Sequence, residues 1–171
     1  DQGAITRQDW DALPFGESGY IAVDPRNAQI SYGASYWGQI QRLNEKTNEL
    51  RDISVGLPNY DGFAAKDVPL RFQWTFPMLI SPDSPATLYS AAQRVFRTTN
   101  EGQKWTAISP DLTLHDSATP GQGGGPITRD ETGTRIYATV FPFAESPVRT
   151  GVLWAGSGGG RVRGARVNGP P

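Results

Sequence analysis

The feature that most constrains this chain is a threefold internal repeat, because repetition at a fixed spacing dictates architecture before any local reading does. A short apolar segment runs into a proline step three times. Tyr20-Ile21-Ala22-Val23 precedes Asp24-Pro25, Met78-Leu79-Ile80 precedes Ser81-Pro82, and a segment around Val140-Phe141 reaches Ser146-Pro147. Seven positions beyond each proline stands an aromatic residue, Tyr32, Tyr89 and Trp154. Small residues follow each one: Gly33-Ala34-Ser35, Ser90-Ala91-Ala92 and Ala155-Gly156-Ser157.

Physically, this is a proline-initiated turn and then a strand. Its aromatic fills the space between neighbouring sheets, and its small residues let the backbones approach near a common axis. A third strand follows in each unit, at 39–43, 94–97 and 160–163; a fourth fits only the first two, at 49–54 and 105–109. The fold class is therefore all-β, a partial β-propeller of about three four-stranded antiparallel blades with the last incomplete. The units span about 17–56, 75–110 and 126–171. Pro25 to Pro82 is 57 residues and Pro82 to Pro147 is 65, longer than a minimal blade of about 40 to 50. The surplus is assigned to insertions at about 57–74 and 111–125, which in a repeat tend to project from one face, often the binding face. A β-sandwich with similar turns is the competing fold, and three matched proline-to-aromatic spacings argue against it.

Composition agrees with frequent turns around aromatic strands: 20 Gly and 14 Pro accompany 5 Trp, 6 Tyr and 7 Phe. Sixteen basic residues balance 17 acidic ones, so nothing draws the chain electrostatically to nucleic acid. Arg161, Arg163 and Arg166, set among glycines, read as solvated charges. There is no cysteine, which excludes disulfides and thiolate metal sites. No apolar run approaches the roughly 20 residues that span a bilayer. The chain begins at Asp1, so any targeting segment is expected upstream.

One motif is specific. Thr98-Thr99-Asn100-Glu101-Gly102-Gln103-Lys104-Trp105 resembles the Asp-box, Ser/Thr-x-Asp-x-Gly-x-Thr-Trp. Thr98, Asn100, Gly102 and Trp105 match; Asn replaces Asp, and Lys104 stands at the Thr position. Such a box suits a tight hairpin between a third and a fourth strand. Thr98 and Asn100 can accept from the turn's own amides, Gly102 supplies a positive φ, and Trp105 packs beneath. The motif is architectural and carries no chemistry. At the matching place in the first unit, residues 43–48 lack both Gly and Trp and form at best a degenerate copy.

With the box placed, a wider resemblance can be named. Gly16-Glu17-Ser18-Gly19-Tyr20, Arg71-Phe72-Gln73-Trp74, Ser109-Pro110-Asp111-Leu112-Thr113, Glu145-Ser146-Pro147 and Gly151-Val152-Leu153-Trp154-Ala155-Gly156-Ser157 look like segments of a family of bacterial exported propellers. That family, the Asp-box (BNR) repeat β-propellers, is similar to the sortilin propeller, and its members often carry the label "glycosyl hydrolase, BNR repeat". The resemblance covers about 10–157 and implies an extracytoplasmic location, periplasmic or secreted. Beyond it, 158–171 departs from the pattern, having neither an acidic pair nor a closing Trp.

The search for chemistry is largely negative. The one histidine, His115, lies in a Gly/Pro/Asp-rich insertion with no Gly-x-Ser-x-Gly elbow in the chain, so a solvated loop residue is the simpler reading. No phosphate loop, dinucleotide fingerprint or calcium loop is present, and no cofactor or metal is indicated. Glycoside hydrolysis needs two carboxylates across a cleft. Glu17, Asp52, Asp61, Asp67, Asp111, Asp116 and Glu145 are candidates, but spacing selects no pair, and Asp111 is more simply a turn cap.

The expected function is a non-catalytic scaffold that binds a protein or peptide, or a glycan, through its inserted loops. Tyr60, Phe63, Arg71 and Trp74 are candidate contacts, with Phe72 and Trp74 also fitting as core residues of the next strand. The alternative is a glycoside hydrolase of the BNR-repeat type whose acids lie partly outside this chain. Closure of a propeller takes at least four blades. An open fan is therefore expected, with apolar end faces that the remaining blades of a longer protein would cover.

Overall fold

The computed structural model describes residues 3–10, 12–14, 16–17, 19–56, 67–114 and 138–166. Within them the protein is all-β. Three antiparallel meanders of 4, 4 and 3 strands follow one another along the chain, with 3-10 turns at Arg7–Asp9 and Tyr36–Gly38. The first sheet is β1 (Ile21–Val23), β2 (Ile30–Ala34), β3 (Ile40–Asn44) and β4 (Glu49–Asp52). The second is β5 (Met78–Ile80), β6 (Leu88–Ala91), β7 (Val95–Thr98) and β8 (Thr106–Ala107). The third is β9 (Val140–Glu145), β10 (Val152–Ser157) and β11 (Val162–Arg166). This is an open, partial propeller-like arrangement. The first strands β1, β5 and β9 neighbour one another in turn.

Alternation along the strands gives each sheet two faces. The leading face looks toward the sheet that follows in the chain, and the trailing face looks back. In sheet one, Ala22, Tyr32, Ile30, Ala34 and Ile40 lead. They pack with Met78, Leu88 and Phe96 from the trailing face of sheet two. In sheet two, Leu79, Tyr89, Ala91 and Val95 lead and meet Val140, Phe143, Leu153 and Ala155 of sheet three. The Tyr89 and Phe143 rings meet edge to face with centroids 5.8 Å apart. The two interfaces therefore share one design, an aromatic of the second strand pressed onto the apolar trailing face of the next sheet.

The segment between sheets one and two contributes to the first core. Phe72 and Phe76 are fully buried with centroids 4.9 Å apart, worth about 2 to 3 kcal/mol each in removed apolar surface. Gly38, at φ +86, lies so close that a Cβ there would stand 2.3 Å from the Phe72 ring, so glycine is required for the aromatic to enter. Phe72 is thus a core residue, though it lies in the segment before β5 and not in a strand.

The repeat breaks at its third aromatic. Tyr32 and Tyr89 are each 4% exposed, whereas Trp154, at the same distance from its proline, is 51% exposed. It lies on the leading face of the third sheet, which no sheet among the described residues covers, and spreads over Gly164, where a Cβ would come within 2.7 Å of its ring. The inter-sheet filling role expected from the spacing therefore holds for Tyr32 and Tyr89 but not for Trp154. The third sheet has β11 as its outer edge; that strand runs on to Arg166, so Arg163 and Arg166 sit on an exposed edge.

Candidate functional site

In each antiparallel meander the connections β2–β3, β4–β5, β6–β7 and β8–β9 fall at the same end. Hydrogen bonds show that these ends converge across the three sheets. Gln93, in the β6–β7 turn, accepts from the Arg71 amide at 2.9 Å and donates to the Pro69 carbonyl at 2.8 Å. Its own carbonyl accepts from the Leu112 amide at 2.9 Å. The Val140 amide donates to Ala92 at 2.8 Å and the Gly158 amide to Thr139 at 3.1 Å. Leu114 lies against Gly159, where a Cβ would be 3.2 Å away. The described parts of both insertions thus lie together at one end of the sheets.

Arg71 is the buried knot of that end. Its Nε donates to the Ala138 carbonyl at 3.1 Å, and Nη2 donates to Asp111 at 2.7 Å and to Thr113 Oγ1 at 3.4 Å. Burial pushes the Asp111 carboxyl up, but the hydrogen bonds from Thr113 and Arg71 outweigh it and hold the group below the usual carboxylate range. Arg71, offered by the sequence as a contact, is buried and ties the two insertions together through these bonds. A guanidinium bridging two loops satisfies both only in one relative placement.

Trp74 belongs to an aromatic cluster at the same end. Its ring meets Tyr36 edge to face at 5.1 Å, and Tyr36 meets Trp37 at 5.6 Å. All three are half-buried. The Tyr36 hydroxyl donates to Glu17, a bond that holds the phenol above its usual range. Trp37 sits at φ 56, ψ 19, a left-handed conformation that a bulky residue adopts at a cost of about 1 to 3 kcal/mol unless its surroundings impose it. Tyr36 and Trp37 are absent from the sequence-derived contacts. Their signal is comparative: the β2–β3 turn carries two aromatics where the equivalent turns offer Ala92-Gln93-Arg94 and Gly158-Gly159-Gly160. Tyr60 and Phe63, the other candidate contacts, lie outside the described residues, as do Asp61, His115 and Asp116.

The turn at 98–105 is built from its own polar side chains. Thr98 Oγ1 accepts from the Gly102 amide at 3.1 Å and the Asn100 amide at 3.3 Å, and donates to Asn100 Oδ1 at 2.9 Å. Asn100 Oδ1 also accepts from the Lys104 amide at 3.0 Å. Gly102 has φ +81. Trp105 is half-buried, packs on the first core, and donates its Nε1–H to the Ile53 carbonyl at 2.7 Å. Glu101, at the tip, reaches back to Arg42 at 2.8 Å and Arg51 at 3.4 Å. The hairpin is thereby a clasp between sheets one and two.

Asp52 accepts from the Ser54 amide at 2.8 Å, Asp67 is exposed, and Glu145 lies half-buried on β9. Among the described residues no three acidic or histidine side chains converge on a metal-sized site, and no helix is long and apolar enough to cross a membrane. No family model matches the chain, and the search of curated proteins returns no match.

Proposed function

We propose that this chain belongs to an exported propeller of the Asp-box repeat type that acts as a non-catalytic binding scaffold, taking a peptide, protein segment or glycan at its insertion-bearing end. The observation that carries this reading is the Tyr36–Trp37–Trp74 cluster beside Glu17. Half-buried aromatic rings offer flat apolar surface at low entropic cost, and a neighbouring carboxylate supplies an acceptor for a hydroxyl or a cation. The turn at Thr98, Asn100, Gly102 and Trp105 supports the repeat assignment by its hydrogen bonding. The Arg71 knot supports a rigid platform, since it fixes the insertions against each other.

The test is a screen of the purified chain on glycan and peptide arrays, followed by titration of each hit by tryptophan fluorescence. Binding without turnover is expected. Trp74→Ala should weaken it by about 2 kcal/mol, roughly thirtyfold in Kd, with an unchanged circular dichroism spectrum. Release of sugar from any bound glycan would overturn the non-catalytic reading.

A further inference from the structure

The Tyr36–Trp37–Trp74 cluster is more than the repeat requires. The equivalent turns of sheets two and three, Ala92-Gln93-Arg94 and Gly158-Gly159-Gly160, do without aromatic side chains. The Tyr36 ring stands at 61° to that of Trp37 and at 89° to that of Trp74. The three rings thus share no plane, and they form no single flat platform on which a sugar ring would stack. Rings set at steep angles to one another suit a compact cation instead, which each of them attracts over its face through the ring quadrupole.

Charge selects the same class. The Glu17 carboxylate is exposed, accepts from the Tyr36 hydroxyl, and meets no guanidinium or ammonium among the described residues. A phenol that donates to a carboxylate pushes electron density into its ring, which strengthens the attraction of that ring for a cation. On sheet one and the segment leading to β5, this end also carries Asp52 and Asp67, both exposed. Arg51 and Arg71 are already met by Glu101 and Asp111. A neutral glycan gains nothing from these uncompensated carboxylates, whereas a cationic side chain gains from rings and carboxylate together.

We propose that the ligand of this site is a basic peptide segment, whose arginine or lysine side chain enters among Tyr36, Trp37 and Trp74 and is met by the Glu17 carboxylate. This rests on the reading of the cluster as the binding surface and narrows its ligand. Arginine is the better match, because its planar guanidinium stacks on an indole while its edge donates two hydrogen bonds to a carboxylate.

Tryptophan fluorescence titration of the full chain with acetyl-Gly-Gly-Arg-Gly-Gly-amide, its citrulline counterpart and chitotetraose tests this. The arginine peptide should bind about tenfold more tightly than the citrulline peptide, which keeps the shape and lacks the charge. Glu17→Gln should erase most of that difference with an unchanged circular dichroism spectrum. Glu45→Gln, which removes the same charge beyond β3 at the opposite end of sheet one, should leave it intact. Equal binding of the two peptides overturns the proposal. So does an equal effect of the two substitutions, which would make the attraction one of overall charge. If neither peptide binds, the proposal fails as well. Chitotetraose binding that is lost in Trp74→Ala would then keep the cluster as a binding surface, for glycan, and silence from all three probes would remove the cluster as a binding surface altogether.

Discussion

The Trp105 indole donates its Nε1–H to the Ile53 carbonyl at 2.7 Å, joining the turn of the second sheet to the residue that follows β4 in the first. One side chain thus does two things, covering apolar surface of the first core and satisfying a carbonyl at a sheet end. The two contributions separate by substitution. Trp105→Phe keeps most of the packing but leaves the Ile53 carbonyl unpaired, at about 1 to 2 kcal/mol. Trp105→Ala loses both and should cost about 2 to 4 kcal/mol, below the full value for a buried aromatic because the ring is half-exposed. Denaturant unfolding of both variants checks the ordering, and equal losses would mean that packing contributes nothing.

Gly102 and Gly160 provide a matched pair for separating strain from collision. Their φ angles are +81 and +78. A Cβ on Gly102 would lie 2.4 Å from the Cβ of Ile53, whereas one on Gly160 would meet nothing within 4 Å. Gly160→Ala should therefore cost about 1 kcal/mol, the conformational term alone. Gly102→Ala must in addition push the turn off Ile53 and should cost at least about 2 kcal/mol more. Thermal unfolding of the two variants side by side would reveal it, and similar losses would remove the contact from the account.

Acid should loosen the fold through two aspartates. Hydrogen bonding from Arg26 holds the Asp24 carboxyl below its usual range despite burial, and Thr113 with Arg71 does the same for Asp111. A carboxyl whose folded pKa is depressed contributes stability that is complete above its unfolded value, near about 3.9, and is lost as pH falls through the folded value. Stability should thus fall below about pH 4. Asp111→Asn should flatten that acid limb, while costing about 1 to 3 kcal/mol at neutral pH because Arg71 remains buried without its carboxylate. Unfolding midpoints from pH 2 to 7 for both proteins provide the check; parallel curves would remove Asp111 from the acid response.

Much of the fold is legible in the sequence, and the reason is local. Proline turns and alternating apolar residues place β1, β2, β5 and β6 because turn chemistry and face alternation are decided within a few residues. What escapes depends on distant chain. Nothing near Trp154 distinguishes it from Tyr32 or Tyr89, since their burial is decided by what packs on their face from distant chain. Arg71 looks like a loop cation, yet Gln93, Asp111 and Ala138, which bury and engage it, lie 22, 40 and 67 residues away. Trp74 is in reach of the sequence only as one half of a choice between core and surface; its partner Tyr36 sits in a turn that reads simply as the end of β2.

The Glu17–Tyr36 bond allows the candidate site to be probed without any ligand. A phenol that donates to a carboxylate loses that bond and gains a repulsion on ionising, so Glu17 raises the pKa of Tyr36. Tyr32 and Tyr89 are raised instead mainly by burial between sheets. Removing the carboxylate should affect the first kind of shift and leave the second. In Glu17→Gln, alkaline difference absorbance should show one phenol titrating lower, toward the ordinary value near about 10, with the late-titrating pair unmoved. Tyr36→Phe should delete that same transition, which assigns it. If Glu17→Gln leaves every transition in place, the carboxylate does not hold the phenol, and the Tyr36 ring is then positioned by Trp37 and Trp74 alone.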